Sequence, residues 1–241
     1  MVKSSHVHMC LLTLHRYQSL QNLNSLLSPA PAVISLFHEF LQMYLHVDLD
    51  MIARFAGKCG EEEAHRAYAQ LQSWMRVREA RLAVSHAGQI VRAGRAVPPY
   101  QVRGPDSMMI YHAIMVLWTY SMLIWDHANK TRPGTPMQES DSEGQAVYLD
   151  DDPSRHRPAL NAFLFAGQGT PCLRMPSTHR PTSAYVSTSI QTTKCDLCSP
   201  SRVMRLGVKL LEGTHPGVSR EDGPPLLRAL CGLMEDLGKL R

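Results

Sequence analysis

The sequence predicts an all-α protein, an irregular multi-helix bundle with two long surface loops. Three observations carry that reading. Apolar residues recur at steps of three and four through most of the chain, the period of a helix with one buried face. The 18 residues from Met108 to Trp125 are apolar at every position but His112, Thr119 and Ser121, which suits a helix surrounded by other helices. Proline and glycine clusters punctuate these segments, at Ser28-Pro29-Ala30-Pro31, Pro98-Pro99 and Gly213 to Pro216.

Taken in order, Met9, Leu12, Leu20, Leu23 and Leu27 share a stripe interrupted at Arg16, so Ser5 to Leu27 is expected to be a moderately amphipathic helix. Val33, Phe37, Phe40, Tyr44 and Val47 define the inward face of the next, and Ile34, Leu41 and Leu45 widen it enough to meet two neighbours. Asp48 is placed to cap a short helix from Leu49 to Ala56, which Gly57 closes in the left-handed conformation. Glu61-Glu62-Glu63 puts acid at the positive end of a further helix, whose inward series is Ala64, Tyr68, Leu71 and Met75. A second series, Ala80, Ala83, Ala87, Ile90, Gly94 and Val97, is out of phase with it, so the chain must break between Met75 and Ala80. The small residues Ala83, Ala87 and Gly94 are expected to admit the backbone of the Met108–Trp125 helix, while Arg76, Arg78, Arg81, Arg92 and Arg95 form a solvated outer face.

Asn129 to Gln145 has the composition of a mobile surface linker. Ala146 to Asp150 is extended at best, and Leu160, Phe163 and Leu164 mark a helix from about Ser154 to Ala166 that Gly167 and Gly169 end. Pro176 to Pro200 is rich in serine and threonine and keeps no period, so it is expected to be an inserted loop, translated intron sequence being one source of it. Val203, Leu206, Leu210 and Leu211 define a helix after it, and Leu226, Leu227, Leu230, Leu233, Met234 and Leu237 the last.

A chain of 241 residues with 44% hydrophobic content can bury one sizeable core, and a single domain over 1–241 with loops at about 129–145 and 176–200 is expected. A net charge of +4 is far below what binding to a phosphate backbone alone would demand. The six cysteines are scattered and read as reduced thiols of an intracellular protein. Met9-Cys10-Leu11-Leu12 is too short an apolar run for a secretion signal, cut by Thr13, His15 and Arg16. Met108 to Trp125 approaches the ~20 residues that cross a bilayer. With His112 early in it and no basic cluster just beyond its end, a bundle core is preferred and no membrane partner is expected.

Arg54-Phe55-Ala56-Gly57-Lys58-Cys59-Gly60-Glu61-Glu62-Glu63-Ala64, Trp74-Met75-Arg76-Val77-Arg78-Glu79-Ala80-Arg81, Ser85 to Ala93 and Ile110 to Tyr120 together resemble fungal zinc-finger transcription factors, in the C-terminal part of their fungal-specific regulatory domain. The resemblance covers Ser28 to Tyr120 and resumes at Val147 to Leu173 and Ser201 to Lys239. It implies an all-helical regulatory domain without enzymatic chemistry, in the nucleus, acting on RNA polymerase II transcription through protein partners of the transcription machinery. A homodimer is compatible with it. In that family DNA contact belongs to an N-terminal zinc-finger module, and neither a paired Cys–His finger nor a six-cysteine cluster occurs here. Truncation at the N-terminus is therefore expected, with zinc confined to the missing module and DNA reached only through it.

No catalytic, cofactor-binding or metal-binding set is assigned. Cys195-Asp196-Leu197-Cys198 has zinc-ribbon spacing but no second pair, and His179 and His215 belong to no paired motif. His6-Val7-His8 reads as a terminal accident. Gly167-Gln168-Gly169-Thr170 lacks the lysine and preceding strand of a phosphate loop. Ser85-His86 and Tyr111-His112 are adjacent helical positions that point apart, and His112 is expected to be a hydrogen-bonded core histidine. Asp150-Asp151-Asp152 supports the alternative, an all-helical metal-dependent enzyme acting on an apolar substrate, although Pro153 follows at once and a capped, solvated turn is the preferred reading.

Overall fold

The structure is a computed structural model that describes Met9, Leu12 and residues 32–131, 145–152, 157–175 and 194–240. Its elements are α1 (Ala32–His46), α2 (Leu49–Phe55), α3 (Glu61–Arg76), α4 (Arg78–Ala96), α5 (Gly104–Thr131), β1 (Ala146–Tyr148), α6 (Pro158–Ala166), β2 (Thr170–Arg174), β3 (Lys194–Asp196), α7 (Pro200–Gly213) and α8 (Pro225–Gly238). It is an all-α multi-helix fold carrying one small sheet. The expected Ser5–Leu27 helix lies outside the described residues except for Met9 and Leu12, which are helical and exposed.

Local chemistry sets the first half as expected. Asp48 accepts hydrogen bonds from the Asp50 and Met51 N–H groups and starts α2, and Gly57 takes φ +95° after it. Three glutamates open α3. Val77 is extended, so α3 ends and α4 begins within one residue, which turns both apolar series toward one core.

Helix α5 is the axis. It packs against α1 to α4 and against α7 and α8. Ile110, Ile114, Leu117 and Trp118 are buried in it, Trp118 only 1% exposed and 5.4 Å from the Phe55 ring. It is long and apolar enough to cross a membrane, yet most of it is buried inside the bundle. The expected linker at 129–145 begins later than the composition suggested, since residues 129–131 still belong to α5 and residues 132–144 lie outside the described ones.

Two further expectations are corrected. The fully buried side chains of α1 are Leu36 and Met43, whereas Phe37 is 42% exposed, so the helix is rotated by about one residue from the predicted face. It does meet two long neighbours, α4 and α5. The interval 176–200 is not a surface loop throughout, because Lys194–Asp196 is a strand, Cys195 and Leu197 are fully buried, and Pro200 begins α7. Residues 176–193 lie outside the described ones.

β1 pairs in parallel with β2 through α6, and β2 pairs antiparallel with β3, Leu173 opposite Cys195. Gly167 ends α6 with φ +69°, as its position after the last apolar residue predicts. The chain leaving β1 crosses α4, where Gln89 donates to the Leu149 carbonyl at 2.7 Å. Of the two glycines inside α4 the tighter is Gly88, where an added Cβ would stand 2.8 Å from the carbonyl carbon and oxygen of Leu149, and closer still to its Cβ. Gly94 faces α5 and α7 instead, and an added Cβ there would meet the Ile110 side chain at 3.2 Å and the Leu210 side chain at 3.6 Å.

Candidate functional site

Asp150, the first residue of the acidic turn, is a buried ion-pair centre, while Asp151 is half-buried and Asp152 exposed. The Asp150 side chain is fully buried, accepts from Arg95 at 2.5 Å and from the Arg174 backbone N–H at 3.0 Å, and has the Arg174 guanidinium 3.7 Å from its other oxygen. Asp151 pairs with Arg174, and Gln89 donates to the carbonyls of Leu149 and Asp151 at 2.7 and 2.8 Å. At Asp150 this departs from the expected solvated turn, and it also revises the solvated arginine face. Arg95 holds Asp150 and the Arg174 carbonyl, Arg81 donates to the Leu164 carbonyl, and Arg92 donates to Gln89, leaving Arg76 and Arg78 as the exposed pair. The carboxylate that a metal-dependent enzyme would use therefore faces two guanidinium groups.

Cys195 points into the core from β3, and burial pushes its thiol up to about 12, so it is a neutral packing group. Burial raises the Cys198 thiol as well. Among the described residues no cluster of three His, Cys, Asp or Glu side chains is arranged to hold a metal ion.

A second charged cluster joins α1 to α4. Glu39 takes a 2.7 Å contact from His86 and lies 3.7 Å from His38, while the His46 and His86 rings stack at 6.1 Å. Burial alone would raise the Glu39 carboxyl, but its hydrogen bonds to His38 and His86 and their positive charge overcome this and hold it at about 2. Trp74 ties α3 to the same corner by donating to the His46 carbonyl at 3.0 Å.

A groove of about 590 Å³ opens between α1 and the start of α5. Val33, Ile34, Phe37 and Phe40 form one wall, Pro105, Met108 and Met109 the other, with His112 at one end. His112 is thus not the hydrogen-bonded core histidine expected; its ring lies 6.2 Å from Phe40, and no hydrogen bond reaches it among the described residues. Burial lowers its pKa, so it is neutral near pH 7. Asp106 accepts from the Arg103 N–H at 2.9 Å and spends its charge on the helix terminus. The groove can bind apolar surface, and it offers no nucleophile–base pair.

No family model, curated protein or solved structure matches the chain. The groove was legible only indirectly, in an α1 that carries more apolar positions than one buried stripe can use.

Proposed function

We propose that this chain is the regulatory domain of a fungal transcription factor, acting in the nucleus on RNA polymerase II transcription through contacts with other proteins. The observation that carries the reading is where the resembling segments fall. Arg54–Ala64 forms the corner from α2 into α3, Trp74–Arg81 the break from α3 into α4, Ser85–Ala93 the buried middle of α4, and Ile110–Tyr120 the centre of α5. Two of the segments, Ser85–Ala93 and Ile110–Tyr120, are the buried middle of the bundle, and the other two are its interhelical corners, while the α1–α5 groove offers a surface for docking. Such a pattern supports a domain that works by presenting surface. DNA contact in this reading belongs to a zinc-finger module not found among these 241 residues.

The test is to fuse the chain to an unrelated DNA-binding domain and measure a reporter bearing that domain's site. A change in transcription relative to the DNA-binding domain alone is expected. A folded, nuclear fusion that leaves the reporter unchanged would remove the support. Nothing favours the enzyme alternative at Asp150.

A further inference from the structure

We propose that Ser219 is a phosphorylation site and that its phosphate is held in a small cavity between α7 and α8. Residues 214–224 join those helices, and Ser219 is exposed among them, outside any helix or strand. Its hydroxyl has no hydrogen-bond partner among the described residues. Glu221 and Asp222 follow two and three residues on and are also exposed, a pattern that suits a protein kinase with a basic substrate cleft. The cavity, of about 180 Å³, is lined by Ser219 itself together with Arg220, Arg228 and His215. Of the described residues lining it, Glu212 alone is acidic, so two guanidinium groups face one carboxylate and the balance favours an anion. Leu227 and Cys231, both buried, add surface of low polarity, against which a charge pair is stronger than in water.

The basic groups are already held in place. Arg220 donates to Glu235 at 2.5 Å and Arg228 to the Glu221 carbonyl at 2.7 Å, each through Nη1. A guanidinium carries five N–H groups, so both keep donors for a second acceptor. His215 is fixed as well. The Thr214 hydroxyl donates to the Leu211 carbonyl at 2.6 Å, so in its 2.9 Å contact with His215 Nδ1 the ring is the donor. A phosphoserine at pH 7 carries a charge of about −1.5 to −2 and three acceptor oxygens, and beside arginines it forms charge-assisted hydrogen bonds. In the transfer the bond from the γ-phosphorus of ATP to ADP breaks, the bond from Ser219 Oγ to that phosphorus forms, and the hydroxyl proton passes to the catalytic aspartate of the kinase. Because Arg228 belongs to α8, the bound phosphate fastens the loop to that helix.

The full chain, treated with ATP and an acid-directed protein kinase, is expected to gain phosphate at Ser219, located by mass spectrometry. A peptide of residues 214–224 serves as control, and failure of the folded chain to be modified there, with or without the peptide, overturns the site. The ³¹P signal that is absent from Ser219→Ala should titrate about one unit below the ~6 of phosphoserine, because Arg220 and Arg228 favour the dianion. It should return toward ~6 in Arg220→Gln and in Arg228→Gln, each with unchanged circular dichroism. A midpoint at or above ~6 in the wild type would set the phosphate against Glu221 and Asp222 in place of the cavity, and overturns the inference. A midpoint that neither arginine variant moves does the same. Inorganic phosphate at about 1 mM should leave the melting temperature of Ser219→Ala unchanged. A rise there that Arg228→Gln abolishes would make the cavity a site for a free anion and overturn Ser219 as the source of the phosphate.

Discussion

Gly88→Ala adds one carbon and two hydrogens at the tightest point between α4 and the segment that follows β1. The new Cβ would lie 2.8 Å from the Leu149 carbonyl carbon and oxygen, against the 3.5–4.0 Å at which carbon atoms pack well. Neither side can retreat cheaply. Leu149 is fully buried, its N–H donates to the Cys172 carbonyl at 3.0 Å, its carbonyl accepts from Gln89 at 2.7 Å, and Asp150 beside it is held by Arg95. Overpacking of this kind costs about 1–3 kcal/mol. A lost hydrogen bond to Leu149 adds about 1, and the better helix propensity of alanine returns about 1. The net expectation is a loss of roughly 1–3 kcal/mol. Urea denaturation followed by circular dichroism measures it, with Gly232→Ala as control. Gly232 lies inside α8 with nothing within 4 Å of the added atom, so the same change there should gain roughly 0.5–1 kcal/mol. If Gly88→Ala stabilised the protein as Gly232→Ala does, the close approach of Leu149 to α4 would be wrong.

Trp118→Ala removes the largest fully buried side chain and should destabilise by ~3–5 kcal/mol, read as a lower denaturation midpoint. Asp150→Asn leaves two guanidinium groups facing a neutral amide and should cost ~3–5 kcal/mol, while magnesium should leave the melting temperature of the wild type unchanged. Acid should act in two stages. His46 and His112 are held neutral by burial, so their contribution is present above the unfolded value near 6.5 and is lost as pH falls below it. Glu39 has a folded pKa near 2 against 4.5 unfolded, so its contribution, up to about 3 kcal/mol, is intact above 4.5 and disappears between 4.5 and 2. A pH series of denaturation midpoints on wild type and Glu39→Gln checks this, the variant losing the lower step.

The helical frame could be read from the chain because its signals are local. The phase change between Met75 and Ala80, the Asp48 cap and the apolar run of α5 each depend on residues within a few turns of one another. What escaped depends on partners far away in sequence. β3 is three residues long, too short to show alternation, and exists because β2 supplies its hydrogen bonds. Asp150 looked like a surface turn because nothing near it in sequence announces Arg95 or Arg174. Gly88 carried no mark distinguishing it from Gly94, since only the tertiary path of Leu149 decides which glycine is indispensable. The groove arose from a helix with more than one apolar stripe, where periodicity counts the stripes without choosing the buried one, and the same ambiguity recurs in α8. In α8 Leu227 and Leu230 are buried while Leu226 and Leu233 are exposed.

The claim at the centre is that this chain acts by presenting a folded helical surface that regulates transcription. Its most direct measurement is reporter output from the tethered chain across a stability series of wild type, Gly232→Ala, Gly88→Ala and Trp118→Ala, at matched fusion levels. The account expects output to follow the folded fraction, unchanged in Gly232→Ala, reduced in Gly88→Ala and lost in Trp118→Ala. Output that is equal across the series, or absent in a folded wild type, would contradict it.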